Sequence, residues 1–358
     1  MLKGKSISEL SHELERRQAL KRDYVMDTHM LTLNTSDELS VRDFEQPIAT
    51  TIDDHAHGQI ATWAGIPKKY YDKMRRDSFP LLTTNVNHWF HASGEPTRRM
   101  IRTMDGRCRA FLSDRYRRID NEQVAQGALQ TLLGMGNGEM EVLSADVTDS
   151  KLYIQACFPR LEGEVTKGDP VRGGLIISNS EIGQGQLVIQ PIVYRLVCMN
   201  GMVVPSNIDA PGLTRRHVGR KAVDADEDYS IYRDETVQAD DRVLQMKMRD
   251  TIHNMADQQR FQDVLRAMRR ASDSEPVKDP QKAVEEASSV VELPSTYQCG
   301  VLESLIRNGD YSMWGMANAI TGQAHQAESY DDAVELEKLG GKVISLDAKQ
   351  WQRIAEAA

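Results

Sequence analysis

RRMIRTMDGRCRAFLSDRYRR, residues 98–118, carries eight arginines and two aspartates, a local charge of +6 in a chain whose formal net charge is −9. Asp105-Gly106 between two β-prone runs predicts a two-residue hairpin turn, because a type I′ turn needs positive φ at both central positions and Asp-Gly tolerates it. That turn fixes a register: Met104 faces Arg107, Thr103 faces Cys108, Arg102 faces Arg109, Ile101 faces Ala110, Met100 faces Phe111 and Arg99 faces Leu112. Strand side chains alternate, so one face reads Thr103, Cys108, Ile101, Ala110 and Leu112, with Arg99 at its far end. The other reads Arg107, Arg102, Arg109, Met100, Phe111 and Arg98.

The first of these faces packs on a core. The second holds four guanidinium groups and is expected to look outward. Arginines around an exposed Phe and Met suit a single-stranded nucleic acid, since cations track phosphates and flat apolar groups stack on bases. Phosphate contacts are expected from Arg98, Arg102, Arg107, Arg109, Arg115, Arg117 and Arg118, with stacking on Phe111 and Tyr116. A second basic cluster, Arg215, Arg216, Arg220 and Lys221, extends the track. The competing reading is a salt-bridge face, with arginines paired to carboxylates of this chain or of an acidic partner protein, and a small anionic ligand is a third.

A chain of 358 residues with 40% hydrophobic and 27% charged residues is long enough for two domains or one with an appendage. Its acidic balance makes any polyanion binding local. Cys108, Cys157, Cys198 and Cys299 stand singly, which argues for a reducing compartment and against a disulfide framework or zinc knuckle. The first residues, MLKGKSISELSHELERR, lack an apolar core, and no 18-residue apolar run occurs, so neither a signal peptide nor a membrane span is expected.

Residues 6–22 read as a helix capped by Ser6 or Ser8, and 24–50 as strands. Helices are expected over 57–64, stopping at Gly65, and from Pro67 onward. Asp120 caps an amphipathic helix over 121–135. Five short strands then reach Val204, and the glycines of GGLIISNSEIGQGQ fit a turn between strands better than a phosphate cradle. Residues 205–235 read as a loop whose acidic part, Asp224 to Glu235, could compete for the arginine face. A single long helix is expected over 236–271, its methionine stripe serving a core or a homo-oligomer seam. Residues 272–296 look like a mobile linker or lid with a short helix, and 297–358 like short helices, one stopped by Gly340-Gly341.

The expected fold is α+β: an antiparallel β-sheet with an Arg-rich β-hairpin, helices packed on one side, and a helical C-terminal part. The expected divisions are 1–50, 51–235, 236–296 and 297–358. No GxSxG, HExxH or Walker motif is present, and no cofactor is expected. Asp53-Asp54 with His55 and His57 is the best nuclease-like cluster, since carboxylates can hold Mg²⁺. The pairs His55/His57 and His88/His91 fit capping or packing better than a metal site.

Six ordered stretches, DHAHGQIATWAGIPKKYYDKM from Asp54, NVNHWF from Asn85, RTMDGRCRAFLSDRYRRIDN from Arg102, YRLVCMNGM from Tyr194, WGMANAIT from Trp314 and YDDAVELEKLGGKV from Tyr330, resemble one phage and plasmid-like family. It goes by domain of unknown function 932, and the resemblance runs from about residue 50 onward. It implies a mobile-element origin, a protein made in a bacterial host cytoplasm, and no transferable catalytic residue. With the hairpin, it leads to the expectation of a non-catalytic single-stranded DNA-binding protein, DNA more than RNA, serving recombination, replication or transcription.

Overall fold

The computed structural model describes residues 4–42, 48–91, 97–136, 138–205, 208, 212–217 and 234–357. Helix α1 (Ile7–Leu20) opens with a capping box in which Ser6 and Glu9 satisfy each other's backbone N–H groups. Four strands follow: β1 (Arg22–Asp27), β2 (Leu31–Leu33), β3 (Glu38–Val41) and β4 (Ile48–Ile52). Helices α2 (Asp54–Trp63), α3 (Lys68–Asp77) and α4 (Phe79–His91) come next, then the hairpin β5 (Arg98–Met104) and β6 (Arg107–Ser113). These strands form a six-stranded sheet in the order β1-β5-β6-β4-β3-β2, which spans the expected boundary at residue 50. Helices α2 to α4 cover one of its faces through Ile60, Tyr71, Leu82, Val86 and Phe90.

Helix α5 (Asn121–Gly134) leads into a second, antiparallel sheet. It contains β7 (Glu141–Val147), β8 (Leu152–Glu164), β9 (Pro170–Asn179), β10 (Leu187–Arg195) and β11 (Asn200–Val203), with β12 (Leu213–Arg215) also paired to β10. The glycine-rich segment is therefore the β9–β10 turn. The run expected as one strand to Val204 is interrupted at 196–199, where Met199 takes positive φ.

The remainder is helical: α6 (Asp234–Met255), α7 (Gln258–Ser272), α8 (Pro280–Val291), α9 (Ser295–Asn308), α10 (Met313–Gly322), α11 (Tyr330–Ile344) and α12 (Ala348–Ala355). The expected single helix over 236–271 breaks before Asp257, whose side chain caps α7. Its apolar stripe, Leu244, Met248, Ile252 and Met255, is buried in this chain's own core. The short helix expected within 272–296 is α8, and it is a packed element rather than part of a mobile linker, because Ala283, Val284, Ala287 and Val291 fall at helical spacing and pack inward. Gly340 and Gly341 lie inside α11 rather than ending it. A β-carbon on Gly341 would sit 1.8 Å from the Val203 carbonyl oxygen, so glycine here lets α11 touch β11.

Helix α11 seals one face of the second sheet with Tyr330, Val334 and Glu337. Gln155 donates from Nε2 to the Glu337 carboxylate at 2.7 Å. Glu337 Oε1, Gln155 Oε1 and the Tyr194 hydroxyl are buried without a partner among the described residues. Burial pushes the Glu337 carboxyl up to about 7 from 4.5. The folded state thus holds this proton more tightly than the unfolded chain, so its contribution to stability is fullest below about pH 4.5 and is lost as pH rises through 7. Glu337→Gln should be more stable than the parent at pH 8 by about 2–3 kcal/mol and lose that advantage at pH 4. Urea midpoints at both pH values check this, and an unchanged pH dependence would contradict it.

Candidate nucleic-acid interface

The Asp105-Gly106 turn forms as expected, with φ of 52° and 72°. The first two pairs, Met104 with Arg107 and Thr103 with Cys108, also hold, but the register then slips. Arg102 pairs with Ala110, Ile101 with Phe111, and Met100 with Leu112. Arg109 is the extra residue of a β-bulge, which shifts the alternation by one. Phe111 consequently joins Ile101 and Cys108 on the face covered by α2 to α4, at 1% exposure, with its ring 5.5 Å from Trp63 and 6.0 Å from Phe90. Its expected stacking role is corrected: the ring is core.

The arginines expected on an outward face are also redistributed. Arg102, 2% exposed, donates to Asp23 at 2.9 and 3.1 Å, to Asp120 at 2.7 Å and to the Glu181 carbonyl at 2.7 Å. Arg109, 4% exposed, donates to the Glu181 carboxylate at 2.9 Å and to the Asp149 carbonyl at 2.8 Å. Lys21 reaches the other Glu181 oxygen at 3.0 Å. Burial alone would raise the Glu181 carboxyl, but Lys21, Arg109 and Arg102 outweigh it and hold the group at about 2. Arg117 is buried between Asp240 and Asp241 at the start of α6. Tyr116 is buried, its hydroxyl donating to the Ser180 carbonyl at 3.2 Å and its ring stacked on His217 at 5.1 Å.

Carboxylates from distant segments thus consume the guanidiniums for which solvent was expected. Arg107 grips Asp53 with two bonds of 2.8 and 2.9 Å. Half-exposed Arg118 lies 3.5 Å from Asp23, and Arg215 lies 3.4 Å from Asp240. Arg98, Arg115 and Arg216 are exposed. Arg220 and Lys221, and the acidic segment from Asp224 to Arg233, lie outside the described residues. In the nuclease-like cluster, Asp53 is held by Arg107 and Asp54 by Arg75, and among the described residues no three His, Cys, Asp or Glu groups converge as for a metal.

What the hairpin does build is a wall. Against β6 and α2 on one side, and the β9–β10 turn with Arg216 and His217 on the other, lies an open cleft of about 1050 Å³. Gln59 ties the two sides, accepting from the Phe111 N–H at 2.7 Å and donating to the Ile182 carbonyl at 3.0 Å. Gly183 has φ +82°, and a β-carbon there would come within 2.9 Å of Leu112, so only glycine lets the turn press this close.

Arg99 lines this cleft. Its guanidinium lies 4.8 Å above the Phe111 ring centroid, a cation–π contact. It forms no ion pair among the described residues, its buried Nε has no hydrogen-bond partner, and its guanidinium makes only a long 3.5 Å hydrogen bond to the Phe111 carbonyl among the described residues. Burial pulls Arg99 down to about 10, partly offset by the charge of Asp114. Arg216 on the facing wall also forms no ion pair among the described residues. Trp63, Tyr116 and His217 supply ring surface, while Gln184 and Gln186 supply amides. His55 is held against the Ile182 carbonyl at 2.9 Å and shifted down by burial, hence neutral near pH 7.

Of the expected site residues that are described, the structure brings Phe111, Tyr116 and Arg216 to the lining of the cleft and places the others elsewhere. Arg99, assigned by alternation to the inner face, was not expected at a site. Lys68 and Trp63 were missed as well, although the KKYY run after Pro67 displayed the former.

The family model named Domain of unknown function (DUF932) matches residues 110–347, more than half of the chain, and the chain belongs to that family. The match begins within β6 rather than near residue 50, so the β9–β10 turn falls inside it and Lys68 and Arg99 precede it. Comparison with curated proteins and with solved structures finds no match.

Because Phe111 is core, Phe111→Ala should cost about 3–5 kcal/mol of stability. Urea denaturation followed by far-UV circular dichroism checks this; a variant as stable as the parent would contradict the slipped register.

Proposed function

We propose that this member of the DUF932 family binds single-stranded nucleic acid in the cleft between the hairpin wall and the β9–β10 turn, without catalysing its breakage. The observation that carries the reading is Arg99: a guanidinium sunk in a large open cleft with no carboxylate partner among the described residues, which a phosphate would satisfy with charge-assisted bonds. Arg216 and Lys68 provide further cations along the walls, and half-buried Trp63 and His217, the latter backed by the buried Tyr116 ring, offer ring surface to bases. The cleft's amides, Gln184 and Gln186, and the glycine backbone beside them tolerate more than one base.

A phage or plasmid setting, with a role in recombination, replication or transcription, follows only from the resemblance of the six sequence stretches. DNA is the favoured polymer on the same ground. Among the described residues no helix is long and apolar enough to cross a membrane.

Fluorescence anisotropy with labelled single-stranded DNA, duplex DNA and RNA over a salt series tests the proposal. The parent should bind single strands, with log K falling by about 0.7 per phosphate contacted for each unit of log salt. Arg99→Ala should weaken binding at least about tenfold, given the ~1.5–3 kcal/mol typical of hydrogen bonds to charged groups. Arg98→Ala on the exposed hairpin edge should change it little. No binding at low salt, or capture of an acidic peptide in preference to DNA, would overturn the assignment.

A further inference from the structure

Helix α3 holds five Lys or Arg and two Asp in ten residues, a net +3 in an acidic chain. Its inward edge is anchored by Tyr71, whose hydroxyl meets His57 Nδ1 at 2.9 Å, and by Met74. The outward edge presents Lys69, Lys73 and Arg76 at helical spacing, with Tyr70 beside them at 47% exposure. Neighbours at i and i+4 stand about 5–6 Å apart, comparable with one extended nucleotide step. Lys69 and Lys73 form no ion pair among the described residues.

The helix also continues the cleft. A second concavity of about 600 Å³ runs along α3 and shares Asp54, His55 and Lys68 with it. Basic side chains face the carboxylates in this groove: Arg75 bridges Asp37 and Asp54, and Lys68 pairs with Asp72. The Lys68–Asp72 and Arg76–Asp77 pairs are exposed and therefore weak, so a phosphate can displace them.

Resting on the cleft reading above, we infer that the outward face of α3 is the exit track for the same single strand, with Lys69, Lys73 and Arg76 following phosphates and Tyr70 stacking on a base. The cleft holds a short segment, and α3 engages only a strand long enough to leave it.

Two oligothymidylates separate the two sites, one of about four nucleotides and one of about sixteen, the range of site sizes seen for single-strand binders. Lys69→Gln/Lys73→Gln keeps good helix formers at exposed positions, so the variant folds. On the long oligonucleotide it should lose about tenfold in affinity at low salt and about 1.4 from the magnitude of the salt slope, two phosphates' worth. On the short one it should match the parent. Tyr70→Ala should likewise weaken only the long oligonucleotide. Equal effects on both lengths, or none on the long one, would overturn the track. If Arg99→Ala weakens both lengths while the lysine variant weakens neither, the track is wrong and the cleft reading stands; if the parent binds neither oligonucleotide, the cleft reading fails. Competition by polyglutamate as strong as that by DNA would reassign the face to an acidic protein.

Discussion

Six charged side chains packed between the two sheets set the geometry of everything around them. Arg102 and Arg109 from the hairpin and Glu181 are buried, and Lys21 after α1, Asp23 and Asp120 join them from the partly exposed rim. Removing such charges from solvent is costly, and their mutual attraction compensates only when geometry is good and the remaining hydrogen bonds are made. Here the guanidinium forks find carboxylate and carbonyl oxygens at 2.7 to 3.1 Å. Arginine suits the task, since its planar donors match two acceptors at once and stay charged in a dry setting. The cluster fastens the hairpin of the first sheet to the β9–β10 turn of the second.

The cleft follows from that fastening. With Glu181 clamped, the next residues are held beside Leu112 and Gln59, and the hairpin's outer strand end becomes the opposite wall. Arg99 lies at that end, beyond the reach of the carboxylates that satisfy Arg102 and Arg109. Its strand position puts it over Phe111, and the bulge at Arg109 is what turned Phe111 toward that side. One inserted residue thus decides which guanidiniums join the buried cluster and which lines the cleft.

Local chemistry was legible in the chain. The Asp-Gly turn, the Ser6 cap, the stop at Gly65 and the start of α5 after Asp120 each follow from a few neighbouring residues, although the Asp120 side chain makes no cap bond and accepts from Arg102 instead. The bulge was not, because Arg109 carries neither glycine nor a turn motif to announce it. The pairing of the arginines was open in principle, since a chain of net charge −9 has carboxylates to spare. Their identity was hidden because Asp23 and Glu181 each lie 79 positions from Arg102. In residues 272–296 the short helix was legible but its burial was not: Pro, Ser and Glu content suggested a mobile linker or lid, while the i, i+4 spacing of Ala283, Ala287 and Val291 described a buried helix edge.

Whether Arg109 and Glu181 act as one unit is read most directly from a double-mutant cycle of stability with Arg109→Met, Glu181→Gln and the pair together. Each single change should cost about 3–5 kcal/mol, because it strands a buried charge. The double variant should cost less than their sum by about 1–3 kcal/mol. Strict additivity would mean that the two groups do not hold each other and that the junction between the sheets rests on something else.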